Sequence, residues 1–168
     1  AELADDLKAQ VDVKNIRVML NRNVDEALID QEKPDHVIVA TGAAPLSPPI
    51  PGADQPHVVQ AWDVLADKVY TGQRVAIVGG GAVGVETALL LAEKGTLSAE
   101  ALRFLFVNQA ETPEVLFEMA TRGTKHITVL EMIDAIGKDF GKSTRWGMLQ
   151  DVKRYGVDVK GGTKALEI

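Results

Sequence analysis

Three glycines at fixed spacing, Gly79, Gly81 and Gly84, are the residues of this chain best placed to do chemistry, because together they can present backbone N–H groups to a phosphate. They follow the apolar run Arg74-Val75-Ala76-Ile77-Val78 and open a stretch from Ala82 to Lys94 with helical patterning. Each has a task in that setting. Gly79 allows the sharp exit from a strand, Gly81 lets the backbone approach a pyrophosphate with no Cβ between them, and Gly84 permits close packing of helix on strand. Ala82 and Val83 would carry the free N–H groups at the positive end of the helix. The three glycines alone are a weak signal, since glycine is common; the strand before and the helix after give the turn its meaning. A glycine-rich turn that binds nothing is the competing reading.

Such a site needs an acid at the end of the next strand, roughly 20 residues on, to accept hydrogen bonds from ribose hydroxyls. Glu131 ends the next strand candidate, Ile127-Thr128-Val129-Leu130, but lies 47 positions past Gly84. If the 26 residues from Leu97 to Arg122 are an insertion, 21 remain and the spacing is restored. A carboxylate there repels a 2′-phosphate, so Glu131 favours NAD(H) over NADP(H), with Lys138 as a partial offset. Glu86, in the first helical turn, suits the dipole whether or not it touches a ligand.

Composition narrows the field further. With 18 basic and 24 acidic side chains the net charge is −6, and no basic cluster is present, so nucleic acid is not an expected partner. The absence of cysteine excludes disulfides, thiolate metal sites, iron–sulfur ligation within this chain and a Cys nucleophile. Any redox chemistry must then belong to a bound cofactor. No apolar stretch approaches the roughly 20 residues of a membrane span and no leader pattern opens the chain, which points to a cytoplasmic setting. His36, His57 and His126 lack partners at metal or triad spacing.

The elements that must position the turn can be read from periodicity. The first dozen residues form an amphipathic helix pattern, Ile16 to Leu20 a short strand, and Asn23 with Glu26 a capping box for a brief helix through Ile29. His36-Val37-Ile38-Val39-Ala40 predicts a strand buried on both faces. Five prolines between residues 42 and 56 predict a stiff crossing and a domain boundary. A helix over 61–66, the strand at 74–78 and the helix ended by Gly95 follow. The helical pair of the insertion has Thr112 as N-cap and Pro113 at its first position, as a hairpin with Phe104, Phe106 and Phe117 in its core, the alternative being a surface that docks onto a further domain. A helix over 144–155 and a strand over 157–159 complete the pattern, with Trp62 and Trp146 as core or interface anchors. Strands alternating with helices predict a Rossmann-like, three-layer α/β fold with a mainly parallel sheet. The start at Ala1 and the strand-like end at Ala165-Leu166-Glu167-Ile168 suggest a portion of a longer polypeptide.

A second segment joins the first. Val37-Ile38-Val39-Ala40-Thr41-Gly42-Ala43 and the proline-rich crossing precede the glycine turn by about 37 residues, and together they resemble the pyridine-nucleotide-dependent flavoprotein reductases. Ala61-Trp62-Asp63-Val64-Leu65, Leu91-Ala92-Glu93-Lys94-Gly95 and Glu131-Met132-Ile133-Asp134 through Gly137-Lys138-Asp139 extend the resemblance to the NADH oxidase and 2,4-dienoyl-CoA reductase branch, the old-yellow-enzyme-related NADH:flavin oxidoreductases. The resemblance implies hydride transfer from NAD(P)H to FAD, with onward transfer through a 4Fe-4S cluster to FMN in a barrel domain. It places Ala40, Thr41 and Gly42 near FAD, and Gly79, Gly81, Ala82, Val83, Gly84, Glu86, Glu131 and Met132 at the nicotinamide dinucleotide. Residues 1–56 are then the tail of an FAD-binding domain with its crossing, and 57–168 the NAD(H)-binding domain carrying the insertion. FMN, the cluster and most FAD contacts would lie in segments outside this chain, which alone is expected to be inactive. The alternative is a non-catalytic dinucleotide-binding or sensing module; a methyltransferase-like use of the turn is a third reading.

Overall fold

The computed structural model describes residues 2–168, so Ala1 lies outside the described residues. Contacts divide the chain after Ala43, which leaves the proline-rich residues 44–56 with the second unit.

In the unit ending at Ala43, α1 (Glu2–Val13) buries no residue, and α2 (Glu26–Glu32) buries Leu28. The cap of α2 is Asp25, not Asn23: its carboxylate accepts the Leu28 N–H at 2.9 Å. The helix stops at Lys33, whose φ is +46°. Neither expected strand forms here. Residues 16–20 and 36–40 have no ladder partner, and Ile38 is 90% exposed. A β-branched apolar run becomes a strand only when a neighbour takes its N–H and C=O groups, and no described segment does so.

The second unit, Ala44 to Ile168, holds the sheet. Its strands β1 (Arg74–Val78), β2 (His126–Leu130) and β3 (Asp158–Lys160) are all parallel, in the order β1-β2-β3. Arg74 faces His126 and Val78 faces Leu130; Thr128 faces Asp158 and Leu130 faces Lys160. A short helix, α3 (Ala61–Leu65), precedes them, and α4 (Ala82–Glu93), α5 (Ala99–Val107), α6 (Pro113–Thr121) and α7 (Lys142–Arg154) connect them. This is the α/β, Rossmann-like arrangement expected from the alternation of strands and helices.

Helices α4 and α7 pack on each other and α3 adds to α4, as expected for successive parallel crossovers of one hand running in one direction. Between these helices and the sheet lie Val85, Leu91, Ile127, Val129, Val152 and Val157. Val85 and Val129 have no exposed surface. On the sheet's other face Ala76 and Val78 are exposed.

The insertion forms the expected helical hairpin, with Ser98 capping α5 and Thr112 capping α6. Its aromatic residues are not its core. Phe104, Phe106 and Phe117 are all exposed, while Leu116 and Thr121 are buried. Trp62 and Trp146 are likewise exposed. At the C-terminus, residues 165–168 form no strand; the Ile168 N–H donates to the Pro51 carbonyl at 3.0 Å.

Candidate functional site

The site is assembled where β1 and β2 end side by side. The ladder runs on past both strands: the Gly79 N–H donates to the Leu130 carbonyl, and the Glu131 N–H to the Lys160 carbonyl, each at 2.9 Å. Gly79 then turns the chain with φ +109°, a conformation that disfavours any side chain. Gly84 is buried in the first turns of α4, where a Cβ would stand 1.9 Å from the Gly79 carbonyl oxygen. The close approach of helix to turn thus depends on a missing side chain at that position.

The helix itself begins at Gly81, whose carbonyl accepts the Val85 N–H at 3.0 Å. Gly81 has no side chain to cap the first N–H groups. That role falls to Asp139: its two carboxylate oxygens accept the Ala82 N–H at 2.8 and 2.9 Å. Val83 and Glu86 are exposed on the same first turns.

Glu131 faces the turn from the end of β2. One oxygen accepts the Gly80 N–H at 2.7 Å and the other accepts the Ile133 N–H at 3.0 Å. The Ile133 N–H does most to hold the carboxyl below its ordinary value of 4.5, with further help from the Gly80 and Met132 N–H groups. Burial and the nearby Asp139 charge act in the opposite direction and are outweighed. The result is an ionised acceptor fastened to the glycine turn, with Met132 exposed beside it.

Two cavities flank this point. One, of about 220 Å³, is lined by Gly80, Glu131, Ile133, Lys138 and others. The second, of about 1140 Å³, runs from Gly79, Ala82 and Val83 along β1 to the proline-rich segment. Gly81 and Asp139 line both. A ligand of two connected parts could therefore lie across the turn, one part on the Glu131 side and one along β1, its linker over the N-terminus of α4. The missing Cβ at Gly81 matters at that crossing, since the nearest atom it would meet is the exposed Asp139 carboxylate, 2.9 Å away.

Of the residues singled out from sequence, Gly79, Gly81, Ala82, Val83, Gly84 and Glu131 meet at this place, with Glu86 and Met132 at its margin. Ala40, Thr41 and Gly42 lie in the other unit, all exposed, with Gly42 at φ +80°. Three further contributors lie in the run through Gly137-Lys138-Asp139 that carries part of the resemblance but was given no site role from the sequence. Ile136 is buried in the core and comes so close to Gly80 that a Cβ there would meet its Cγ2 at 2.5 Å. Gly137 donates its N–H to the Gly80 carbonyl at 2.6 Å, and Asp139 caps α4. No local spacing assigns these residues their contacts, because their partners are more than fifty positions away. Among the described residues no group of acids, histidines or cysteines could hold a metal ion, and no helix is long and apolar enough to cross a membrane.

Comparison with known proteins gives this geometry a context. Residues 2–168 match the family described as pyridine nucleotide-disulphide oxidoreductase. A metal reductase of Desulforamulus reducens is 56% identical over 140 residues, which is 83% of this chain and 21% of the relative. An NADH oxidase of Thermoanaerobacter brockii is 32% identical over 168 residues, 98% of this chain and 21% of the relative. Among solved structures, a 2-naphthoyl-CoA reductase in complex with 2-naphthoyl-CoA superimposes with a TM-score of 0.62 at 25% identity, covering 96% of this chain and 20% of that one. The chain thus spans about a fifth of the length of the relatives it matches.

Proposed function

The chain belongs to the pyridine nucleotide-disulphide oxidoreductase family, and from that premise we propose that it is the NADH-binding part of a flavin-dependent oxidoreductase. Residues 57–168 bind the dinucleotide; residues 1–56 are the tail of an FAD-binding domain and the crossing out of it. The observation that carries this reading is the junction of two cavities at Gly81, over the start of α4, with an ionised carboxylate on one side. Pyrophosphate is held by the N–H groups of Gly81, Ala82 and Val83 and by the helix dipole. Glu131 uses its remaining lone pairs for the adenosine ribose hydroxyls, and Met132 and Glu86 border the ligand. The cofactors supply the chemistry, a hydride passing from NADH to FAD, while the protein contributes orientation and charge.

The resemblance carries the rest of the proposal. Ala40, Thr41 and Gly42 lie near FAD, completed by chain outside this segment, with a 4Fe-4S cluster and FMN further along. The exposed Ala76 and Val78 on the sheet's second face favour this reading over a self-sufficient sensing module, which would be expected to cover them. Alone, the chain does not turn over substrate.

Titration of the isolated chain with NADH and with NADPH, followed by nicotinamide fluorescence, tests the assignment. NADH is expected to bind in a saturable manner and about five- to tenfold more tightly than NADPH, the extra phosphate meeting the Glu131 charge at partly solvated distance. Equal affinity, or a preference for NADPH, would remove Glu131 from the selectivity role.

A further inference from the structure

The Asp139 carboxylate stands where a ligand's phosphate has to go. It takes the Ala82 N–H with both oxygens, and with Gly81 it is shared by the two cavities that flank the turn. The physics that draws a carboxylate to a helix N-terminus is the physics that draws a phosphate there. We propose that Asp139 is an internal competitor that closes the glycine turn in the absence of dinucleotide and is displaced when the pyrophosphate binds. This inference rests on the dinucleotide reading and adds a regulation to it.

The loop that carries Asp139 is built for such a displacement. It is pinned one turn earlier, where Ile136 is buried, the Gly137 N–H donates to the Gly80 carbonyl at 2.6 Å, and the Arg145 guanidinium donates to the Ile136 carbonyl at 3.1 Å. Lys138 and Asp139 beyond these anchors are exposed. Rotation of the Asp139 side chain returns its charge to water and leaves the packing of Ile136 untouched. If the carboxylate stayed in place, it would face a phosphate of like charge across the same N–H group.

NADH titrations of the full 168-residue chain, wild type against Asp139→Asn and Asp139→Ala, with melting curves in parallel, test this. Both variants lose the competing charge and are expected to bind NADH about tenfold more tightly. Their melting temperature is expected to fall by about 2 °C as α4 loses a favourable anion. Asp139→Glu keeps the charge and gains nothing. A carboxylate that is only a helix cap gives the opposite pairing, lower melting with unchanged or weaker binding, and that result overturns the inference while the dinucleotide reading stands. Should Asp139→Ala not fold, Asp139→Asn, which retains an acceptor for Ala82, decides alone. If wild type and variants all fail to bind NADH, the dinucleotide reading falls and this inference falls with it.

Discussion

Gly84→Val is expected to leave no measurable NADH binding and to lower stability by about 3 kcal/mol or more. A Cβ at this position would stand 1.9 Å from the Gly79 carbonyl oxygen, far inside contact distance. That oxygen is backbone, so relief cannot come from rotating a side chain. Either α4 moves away from β1 or the turn at Gly79 opens, and both shifts disturb a core in which Val85 and Ala88 are completely buried. Overpacking of this kind typically costs about 1–3 kcal/mol, and a backbone collision belongs at the upper end or beyond. The same shift carries the N–H groups of Gly81 to Val83 off the position where they can hold a pyrophosphate. Urea unfolding and NADH titration of the variant measure the two losses; wild-type affinity in a stably folded variant would show that helix and turn do not need this approach.

Glu131→Ala removes the acceptor of two backbone N–H groups, Gly80 at 2.7 Å and Ile133 at 3.0 Å. Leaving the partly buried Gly80 donor without a partner costs about 1–3 kcal/mol, while water takes over at the exposed Ile133 donor, so a loss of about 2 kcal/mol is expected. The wild type should also show a characteristic acid limb. Because the folded carboxyl titrates below its ordinary value of 4.5, its contribution is fully present above that value and is lost as pH falls through the lowered one. Glu131→Gln, which cannot ionise, is expected to lack that part of the dependence. In binding, both substitutions should narrow the difference between NADH and NADPH. Melting curves between about pH 3 and 7, with paired titrations, would read these effects; an unchanged acid limb in Glu131→Gln would mean that the carboxylate does not hold the turn.

What could be read from sequence follows the range of the interactions involved. The glycine turn was legible because its logic is local: a strand, a φ of +109° at Gly79 and a helix opening lie within a few residues. Caps were nearly as legible, as at Thr112 and Pro113. At α2 the reading from sequence is two positions off: Asp25, not Asn23, holds the Leu28 N–H. Propensity misled at Val37-Ile38-Val39, where strand formation depends on a neighbour that the run itself does not specify. It misled at Phe104, Phe106 and Phe117 because helical spacing marks an apolar face without saying what covers it. Asp139 was the least legible part of the site. Its partner, Ala82, is 57 positions away, and only the folding of the 131–141 loop over the turn brings them together.

Amide chemical-shift mapping of the 18.1 kDa chain during NADH titration, with Gly81→Val as the paired control, reads whether the junction over Gly81 holds the pyrophosphate of NADH. The three nearest atoms a Cβ at Gly81 would meet all belong to the Asp139 side chain, which can rotate aside, so the variant is expected to fold with a spectrum close to the wild type. Shifts are expected at Gly79 to Gly84 and at Glu131 to Ile133 in the wild type, and none in Gly81→Val, where the side chain fills the phosphate's path. Shifts that persist unchanged in the variant, or that map away from the glycine turn, would contradict this placement of the pyrophosphate.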